Sequence, residues 1–419
     1  MIDPPGIQPT PALTGKLGRT SATGRLFGAA SWVAIALLLA WNGWCLWLDW
    51  TPQDPAFIDA LLAQGRNDEA RQELRRVLRA SPDDGEARMK LARVLAISGD
   101  RPGCAEQLRR VPPWSPAKAD ALFMEGQVAK LLERARDSES AWLALIADDP
   151  LHPVPKRYFH GAARDLVGLY VLERRLVEVR EVLWKVYQTA DPAERPGVLL
   201  QRIRAELDRI AHPQAAAQLR LHLAADPQDW EARRAIAFEE HALDDEAAAD
   251  RDIRACLEAR PDDVPTWRDW LKILAERGDT ATIRANVARL PAQADADADL
   301  WLARGNIRQV DGDIAGAAAA FRKAVELDPY HAEAAYKLGQ AEQLLGQPEE
   351  ARTHRERSRE LYRASNDLRG AYERVLEATQ KAVPDRPAYE TAVRRLSAIC
   401  RDLGWPRESA AWLRVLTGG

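Results

Sequence analysis

The chain has 419 residues, of which 46% are hydrophobic and 29% charged, a balance typical of a folded protein rather than a disordered one. The formal net charge of −4 argues against a nucleic-acid partner. The four cysteines lie far apart, so no disulfide framework and no C-x-x-C motif is predicted.

Residues 1–25 are predicted to be a disordered tail. Pro4, Pro5, Pro9 and Pro11 are separated by small and polar residues. Such a segment offers too little apolar surface to offset the entropy that it would lose on folding.

Residues 26–48 contain no charged side chain and are predicted to form a transmembrane anchor. At about 1.5 Å per residue, a helix of this length spans about 34 Å, enough to cross a bilayer core. The alternative is a cleaved signal peptide, but the apolar run exceeds the roughly 7–15 residues of a signal core and no small-x-small site follows. The end of the segment is rich in tryptophan, which is typical of the membrane interface. These tryptophans are Trp41, Trp44, Trp47 and Trp50.

Charges on the two sides of this anchor predict its direction. Three basic residues precede it and three acidic residues follow it: Lys16, Arg19, Arg25, Asp49, Asp54 and Asp59. The positive-inside rule therefore places the N-terminus in the cytoplasm and the rest of the chain on the extracytoplasmic, periplasmic side.

Prolines that end predicted helices recur along the remaining chain. They are Pro82, Pro150, Pro192, Pro227, Pro261 and Pro329, with spacings of 68, 42, 35, 34 and 68 residues. Most of these spacings are one or two times 34, and the spacing of 42 contains an insertion at 151–160. A constant period in this range indicates stacked supersecondary units.

Side chains of matching size recur inside each period. In 298–329, Trp301 is fourth, Gly305 eighth, Ala317 twentieth, Phe321 twenty-fourth and Pro329 thirty-second. This pattern resembles the tetratricopeptide repeat, in which two antiparallel helices form each repeat of 34 residues. Small residues at the eighth and twentieth positions allow the two helices to approach closely, and large residues fill the space between repeats.

The resemblance implies an all-α fold in which an α-solenoid follows the transmembrane helix. About nine helical hairpins are predicted over 52–363, and 364–419 is predicted to be a helical cap that covers the end of the stack. The predicted hairpins are 52–82, 85–114, 118–150, 161–192, 196–227, 230–261, 264–294, 298–329 and 332–363. The helices predicted in the cap are 366–381, 387–403 and 406–416.

The sequence shows no pattern that predicts catalysis. Phosphate loops, dinucleotide fingerprints, G-x-S-x-G and H-E-x-x-H are all absent. His152 and His160 share the inserted segment but have no third ligand, so no metal site is predicted. The chain is therefore predicted to be neither an enzyme nor a protein with a cofactor.

The resemblance implies a groove lined by the first helix of each repeat. In the two clearest repeats, the second, fifth, ninth and twelfth positions are predicted to line this groove: Asp299, Leu302, Asn306, Gln309, Glu333, Tyr336, Gln340 and Gln343. Amides can pair with the backbone of an extended peptide, and Tyr336 offers a flat apolar surface. Some members of the family hold a terminal carboxylate with lysine at the fifth position and asparagine at the ninth. Asn306 matches this pattern and Leu302 departs from it.

Together these features predict a membrane-anchored scaffold or adaptor that binds protein or peptide partners, with assembly of envelope complexes as one setting. The alternative is a non-catalytic regulatory subunit of an envelope-biogenesis enzyme complex, or a small enzymatic module at the C-terminus. Only about 55 residues follow the predicted repeats, too few for a large catalytic domain.

Overall fold

The computed structural model describes residues 54–147, 154–208, 210–380 and 386–417. The chain divides into two compact units, Met1–Ser115 and Pro116–Gly419. Every regular element in the described residues is helical. None of these helices is long and apolar enough to cross a bilayer. The predicted tail at 1–25 and the predicted anchor at 26–48 lie outside the described residues.

The described part of the first unit consists of two helical hairpins. Its helices are α1 (Pro55–Ala63), α2 (Asn67–Ala80), α3 (Gly85–Ile97) and α4 (Arg101–Arg109).

The described part of the second unit continues this pattern over most of its length. Its helices are α5 (Lys118–Leu131), α6 (Ala135–Ile146), α7 (Lys156–Leu172), α8 (Leu176–Thr189), α9 (Arg195–Leu207), α10 (His212–Ala225), α11 (Trp230–Ala242), α12 (Glu246–Ala259), α13 (Val264–Glu276), α14 (Thr280–Val287), the 3-10 helix η1 (Ala292–Ala296), α15 (Ala298–Val310), α16 (Ile314–Leu327), α17 (Ala332–Leu344), α18 (Pro348–Gln380), α19 (Arg386–Asp402) and α20 (Pro406–Thr417).

The predicted period is confirmed by the positions of the helix ends. Each proline of the periodic set that lies in the described residues follows the end of a second helix by two or three residues: Pro82, Pro192, Pro227, Pro261 and Pro329. Proline cannot supply the backbone N–H that another helical turn needs, so the helix stops before it.

Aspartate side chains define the starts of nine described helices. In each, the carboxylate of the N-cap residue accepts a hydrogen bond from a backbone N–H of the first turn, which would otherwise lack a partner. These residues are Asp54, Asp84, Asp100, Asp229, Asp245, Asp263, Asp279, Asp297 and Asp313. An aspartate cap thus sets the first residue of each of these nine helices.

Close approach of the two helices in a hairpin depends on a glycine at the eighth position. A Cβ atom at Gly305 would lie less than 3.0 Å from the Phe321 ring, and one at Gly126 would meet the Trp142 indole in the same way. The predicted close approach at the small eighth position is confirmed in these two repeats. The large side chain at the twenty-fourth position, which was predicted to fill the space between repeats, also packs against the first helix of its own repeat. The ring of the second helix packs directly on the backbone of the first.

Eight of the nine predicted hairpins form in the described residues, and the prediction for 196–227 is wrong. Its first helix, α9, packs against α8 and the C-terminal helices, whereas its second helix, α10, packs against α11. Ile203 occupies the eighth position here and is fully buried on the α8 side. Leu199 and Ile203 instead place the buried face of α9 in the core that it shares with α8 and the C-terminal helices. The backbone at Asp208 and Ala211 is extended.

The C-terminal helices belong to the same hydrophobic core as the fourth repeat. Helix α18 is continuous for 33 residues and passes through the predicted boundary at 363, since neither proline nor a turn glycine stops it there. Buried side chains of α18, α19 and α20 share one cluster with those of α6 to α9. Trp412 lies in this cluster and is 0% exposed. The end of the chain thus returns to its middle.

Polar contacts join the same elements at the rim of this core. Arg407 on α20 pairs with Glu181 on α8 (Nη1–Oε1 3.3 Å), and Glu408 lies 3.5 Å from Nε of the buried Arg202 on α9. Arg369 on α18 donates to the Leu207 carbonyl at 2.8 Å. Helices α9 and α20 therefore meet through both apolar and charged contacts.

Candidate functional site

The side chains predicted to line a groove in α15 and α17 differ in accessibility. Leu302 is only 7% exposed and packs in a core with Phe321 and Leu338, so its side chain does not face an open groove. Leu302 is buried because the fifth position of α15 lies in the core that α15 shares with α16 and α17. Tyr336 is 44% exposed and retains the open ring surface that was expected of it.

The polar members of the predicted set also differ. Asn306, Gln309 and Gln340 are half-buried, and Gln343 is exposed. The Oδ1 atom of Asn306 is buried without a hydrogen-bond partner in the described residues. These side chains remain predicted contacts.

The two acidic members of that set have different surroundings. Asp299 accepts a hydrogen bond from His331 at 3.0 Å and lies 3.5 Å from Arg268. Glu333 is exposed. Asp299 therefore joins neighbouring helices instead of presenting a free carboxylate.

A cavity of the second unit lies elsewhere, between α5, α7, α8 and α9. Its volume is about 780 Å³, which is within the range of ligand sites. The apolar part of its lining includes four valines, one leucine and one phenylalanine: Val167, Val171, Val186, Val198, Leu183 and Phe123. The space exists because α9 leaves its predicted partner α10 and packs beside α8.

Charged side chains surround the mouth of this cavity. Arg204 is paired with Asp208 (Nε–Oδ2 2.9 Å). Arg157 stacks on Tyr158 at 4.7 Å and donates to its hydroxyl, and it has no carboxylate partner in the described part of the chain. Arg164 has neither an ion pair nor a hydrogen bond among the described residues, so its guanidinium is available to an acidic group.

A second cavity of about 430 Å³ lies on the other side of Arg164. It is enclosed by α5, α6, α7 and α10, and Gly168 and Trp142 contribute to its lining. We call the two cavities together the α7 groove. The first helices α5, α7 and α9 and the second helices α6, α8 and α10 all contribute to the lining of this groove, which does not include the residues predicted in α15 and α17.

Hydrogen bonds and ion pairs join successive repeats along this groove and beyond it. Three cations pair with an aspartate 35 residues later, at 2.9 to 3.1 Å: Lys130 with Asp165, Lys156 with Asp191 and Arg234 with Asp269. The partners of Lys130–Asp165 and Arg234–Asp269 lie on neighbouring first helices, whereas Asp191 lies in the turn before α9. A basic and an acidic residue about one period apart are the sequence signal for such pairs.

A buried charged cluster lies behind the groove, where α6 and α7 meet α11. The guanidinium of Arg175 contacts three carboxylates: Glu139 at 2.7 Å, Glu173 at 3.0 Å and Glu178 at 3.1 Å. Burial, together with the nearby Asp229 carboxylate, raises the pKa of Glu173 to about 8 despite Arg175. Burial also lowers the pKa of His222 on α10.

We expect replacement of Glu173 by glutamine to remove a pH-dependent loss of stability. The pKa of Glu173 is about 8 in the folded chain and near 4.5 when unfolded, so between these values the folded state holds more protons. Its stabilisation is complete below the lower value and is lost as the pH rises towards 8. Urea midpoints of wild type and E173Q between pH 5 and 9 should therefore shift in favour of the variant as the pH rises. A parallel pH dependence for the two proteins would contradict this assignment, and E178Q serves as a control at a more exposed carboxylate of the same cluster.

Comparison with known proteins agrees with the repeat pattern. Models of the tetratricopeptide repeat match residues 61–122, 298–331 and 320–353. The matched segments are therefore tetratricopeptide repeats. The matches cover α2 to α4 and α15 to α17, and the remaining hairpins follow the same period with less typical residues. The fold is consistent with a protein-interaction scaffold.

Solved structures of similar fold include other proteins of helical repeats. PilF of Pseudomonas aeruginosa is 13% identical, and the match covers 54% of this chain and 91% of PilF with a TM-score of 0.33. A tetratricopeptide repeat protein from Parabacteroides merdae is 14% identical, with 68% and 96% covered and a TM-score of 0.28. MamA is 16% identical, with 43% and 92% covered and a TM-score of 0.28. At these values the likeness carries no argument about function. No curated protein matches the chain.

The cysteines and histidines of the described tetratricopeptide chain form no obvious reactive centre. Cys104, Cys256 and Cys400 are fully buried and unpaired, as expected for small apolar side chains. Burial raises the pKa of each thiol, which disfavours the reactive thiolate. Within the described residues, no three side chains of His, Cys, Asp or Glu are grouped so that they could hold a metal ion.

Proposed function

We propose that this protein is a membrane-anchored scaffold that binds a segment of a protein partner in the α7 groove. The observation that carries the proposal is the cavity between α5, α7, α8 and α9, which combines an apolar lining with the guanidinium of Arg164, for which the described residues supply no acidic partner. A groove of this kind suits a chain segment with alternating apolar and polar side chains.

The anchor is the part of the proposal that rests on sequence alone. Residues 26–48 are long and apolar enough to span a bilayer, and the charges around them favour a cytoplasmic N-terminus. In this arrangement the repeats would hold their partner close to the outer face of the membrane, in the assembly of an envelope complex.

Site-specific photo-crosslinking in intact cells tests both parts of the proposal. A photoreactive phenylalanine derivative would replace Gln201, which lines the groove on α9, or Glu258, which is exposed on α12 outside it. We expect a discrete adduct from position 201 and none from position 258, recovered in carbonate-washed membranes. Deletion of 26–48 should release the protein from those membranes.

The two parts fail in different ways. Equal crosslinking from both positions, or from neither in a folded protein, would contradict binding in the groove. Complete extraction of the full chain by carbonate would contradict the anchor.

A further inference from the structure

The smaller cavity of the α7 groove exists because one glycine is not covered by a neighbouring side chain. At Gly126 and Gly305, an aromatic ring of the following helix occupies the space that a Cβ would need. At Gly168, the equivalent position of the fourth repeat, a Cβ would meet nothing within 4 Å. Since helix packing does not require a glycine here, its effect is to leave the cavity open.

One wall of this cavity presents a hydrogen-bond acceptor. Glu133 has a left-handed backbone (φ 57°), which directs its carboxylate towards α10. Its Oε2 accepts a hydrogen bond from Gln218 Nε2 at 2.6 Å, and the same amide lies 3.2 Å from Nε2 of His222, which is 7% exposed. Because a carboxylate can accept several hydrogen bonds, Glu133 retains capacity for a further donor.

The opposite wall of the cavity is apolar, and its rim carries a basic side chain. The indole of Trp142, together with Leu169 and Leu172, forms an apolar surface. Arg164 stands at the rim between the two cavities, without an acidic partner among the described residues. The site thus offers an apolar wall, an acceptor and a free cation.

We propose that the cavity over Gly168 binds a tyrosine or tryptophan side chain of the partner segment, whose ring O–H or N–H donates to Glu133 while an adjacent acidic residue pairs with Arg164. This inference rests on the proposed function and specifies the partner's chemistry. An aliphatic side chain would cover Glu133 without supplying a donor, and desolvating a carboxylate without adding a hydrogen bond to it is costly. An aromatic ring with an O–H or N–H group can pack against the apolar wall and donate a hydrogen bond to Glu133.

Fluorine NMR of a small probe tests this binding without a known partner. The probe is the tripeptide acetyl-Glu-(5-fluoro-Trp)-Glu-amide, mixed with the full chain in lipid nanodiscs, with empty nanodiscs as background. We expect the fluorine line to broaden with the protein beyond the background. Acetyl-Glu-Trp-Glu-amide and its tyrosine analogue should compete, and the phenylalanine analogue should compete about tenfold more weakly because it lacks the donor.

Two glycine variants provide a matched comparison. Gly168→Leu fills the smaller cavity, whereas Gly370→Leu adds the same side chain on α18, outside the groove, where a Cβ would approach only Arg374 at 3.8 Å. We expect G168L to abolish the broadening and G370L to retain it, while circular dichroism shows both variants folded. In the wild-type protein, the glutamate probe should bind about threefold more tightly than the same tripeptide with glutamine in place of glutamate. In R164A this difference in affinity should disappear.

The outcomes are distinguishable from failure of the proposed function. No broadening with wild type, or equal broadening with G168L, would overturn the aromatic site. If crosslinking from Gln201 still occurs in that case, the partner binds the groove without an aromatic anchor. Equal competition by the phenylalanine analogue would overturn the role of Glu133.

Discussion

Replacement of Trp412 by alanine is expected to detach α19 and α20 from α8 and α9. Trp412 is the largest side chain that α20 contributes to the shared core, and it is 0% exposed. Truncating a buried tryptophan costs about 3–5 kcal/mol because apolar contacts are lost and a cavity remains. Hydrogen exchange should show the loss of protection in α19 and α20 and also in α9, which is far away in sequence.

A tryptophan outside this core provides the matched control. Trp114 is 70% exposed, so the same substitution there removes few contacts and should leave exchange in α9 unchanged. If W412A lowered protection only in α20 and not in α9, the C-terminal helices would not be stabilising the fourth repeat.

Replacement of Gly305 by leucine is expected to force α15 and α16 apart. The new Cβ would overlap the ring of Phe321, which is fully buried and cannot move without opening the core. Overpacking of this kind costs about 1–3 kcal/mol, and more where backbone is displaced. Repeats contact mainly their neighbours, so exchange should increase most in α15 to α17 and less in α11 and α12.

Leucine at Gly370 in α18 is the control for this variant. A Cβ there would approach only the flexible end of Arg374, at 3.8 Å, and leucine is the better helix former. G370L should therefore be neutral or slightly stabilising. A G305L protein with wild-type exchange in α15 and α16 would show that the glycine is not needed for their close approach.

The hairpins could be predicted because repeat folds are governed by local sequence. Proline stops, aspartate caps and the pairing of Gly305 with Phe321 all act within one repeat, so they are readable from the spacing of residues. The hairpin predicted at 196–227 does not form although Pro227 is in phase, because α9 packs against α8 and the C-terminal helices, which lie far away in sequence.

The arrangement of the C-terminal helices could not be predicted in the same way. Arg407 and Glu181 are separated by 226 residues, and no periodic signal connects them. The cavity over Gly168 could not be predicted either, because two repeats have a glycine at the same position, Gly126 and Gly168. Only the structure shows that the Trp142 ring covers Gly126, whereas no side chain covers Gly168.

The shared core of α8, α9 and α20 has a consequence for how the chain folds during synthesis. Most solenoids gain structure progressively, because each repeat rests on the one just completed. Here, the core around Leu199 and Ile203 on α9 is complete only after the ribosome has made α19 and α20, about 200 residues later. Until then, the nascent chain exposes part of this apolar surface to solvent. A truncated product that ends before α19 should therefore depend on chaperones.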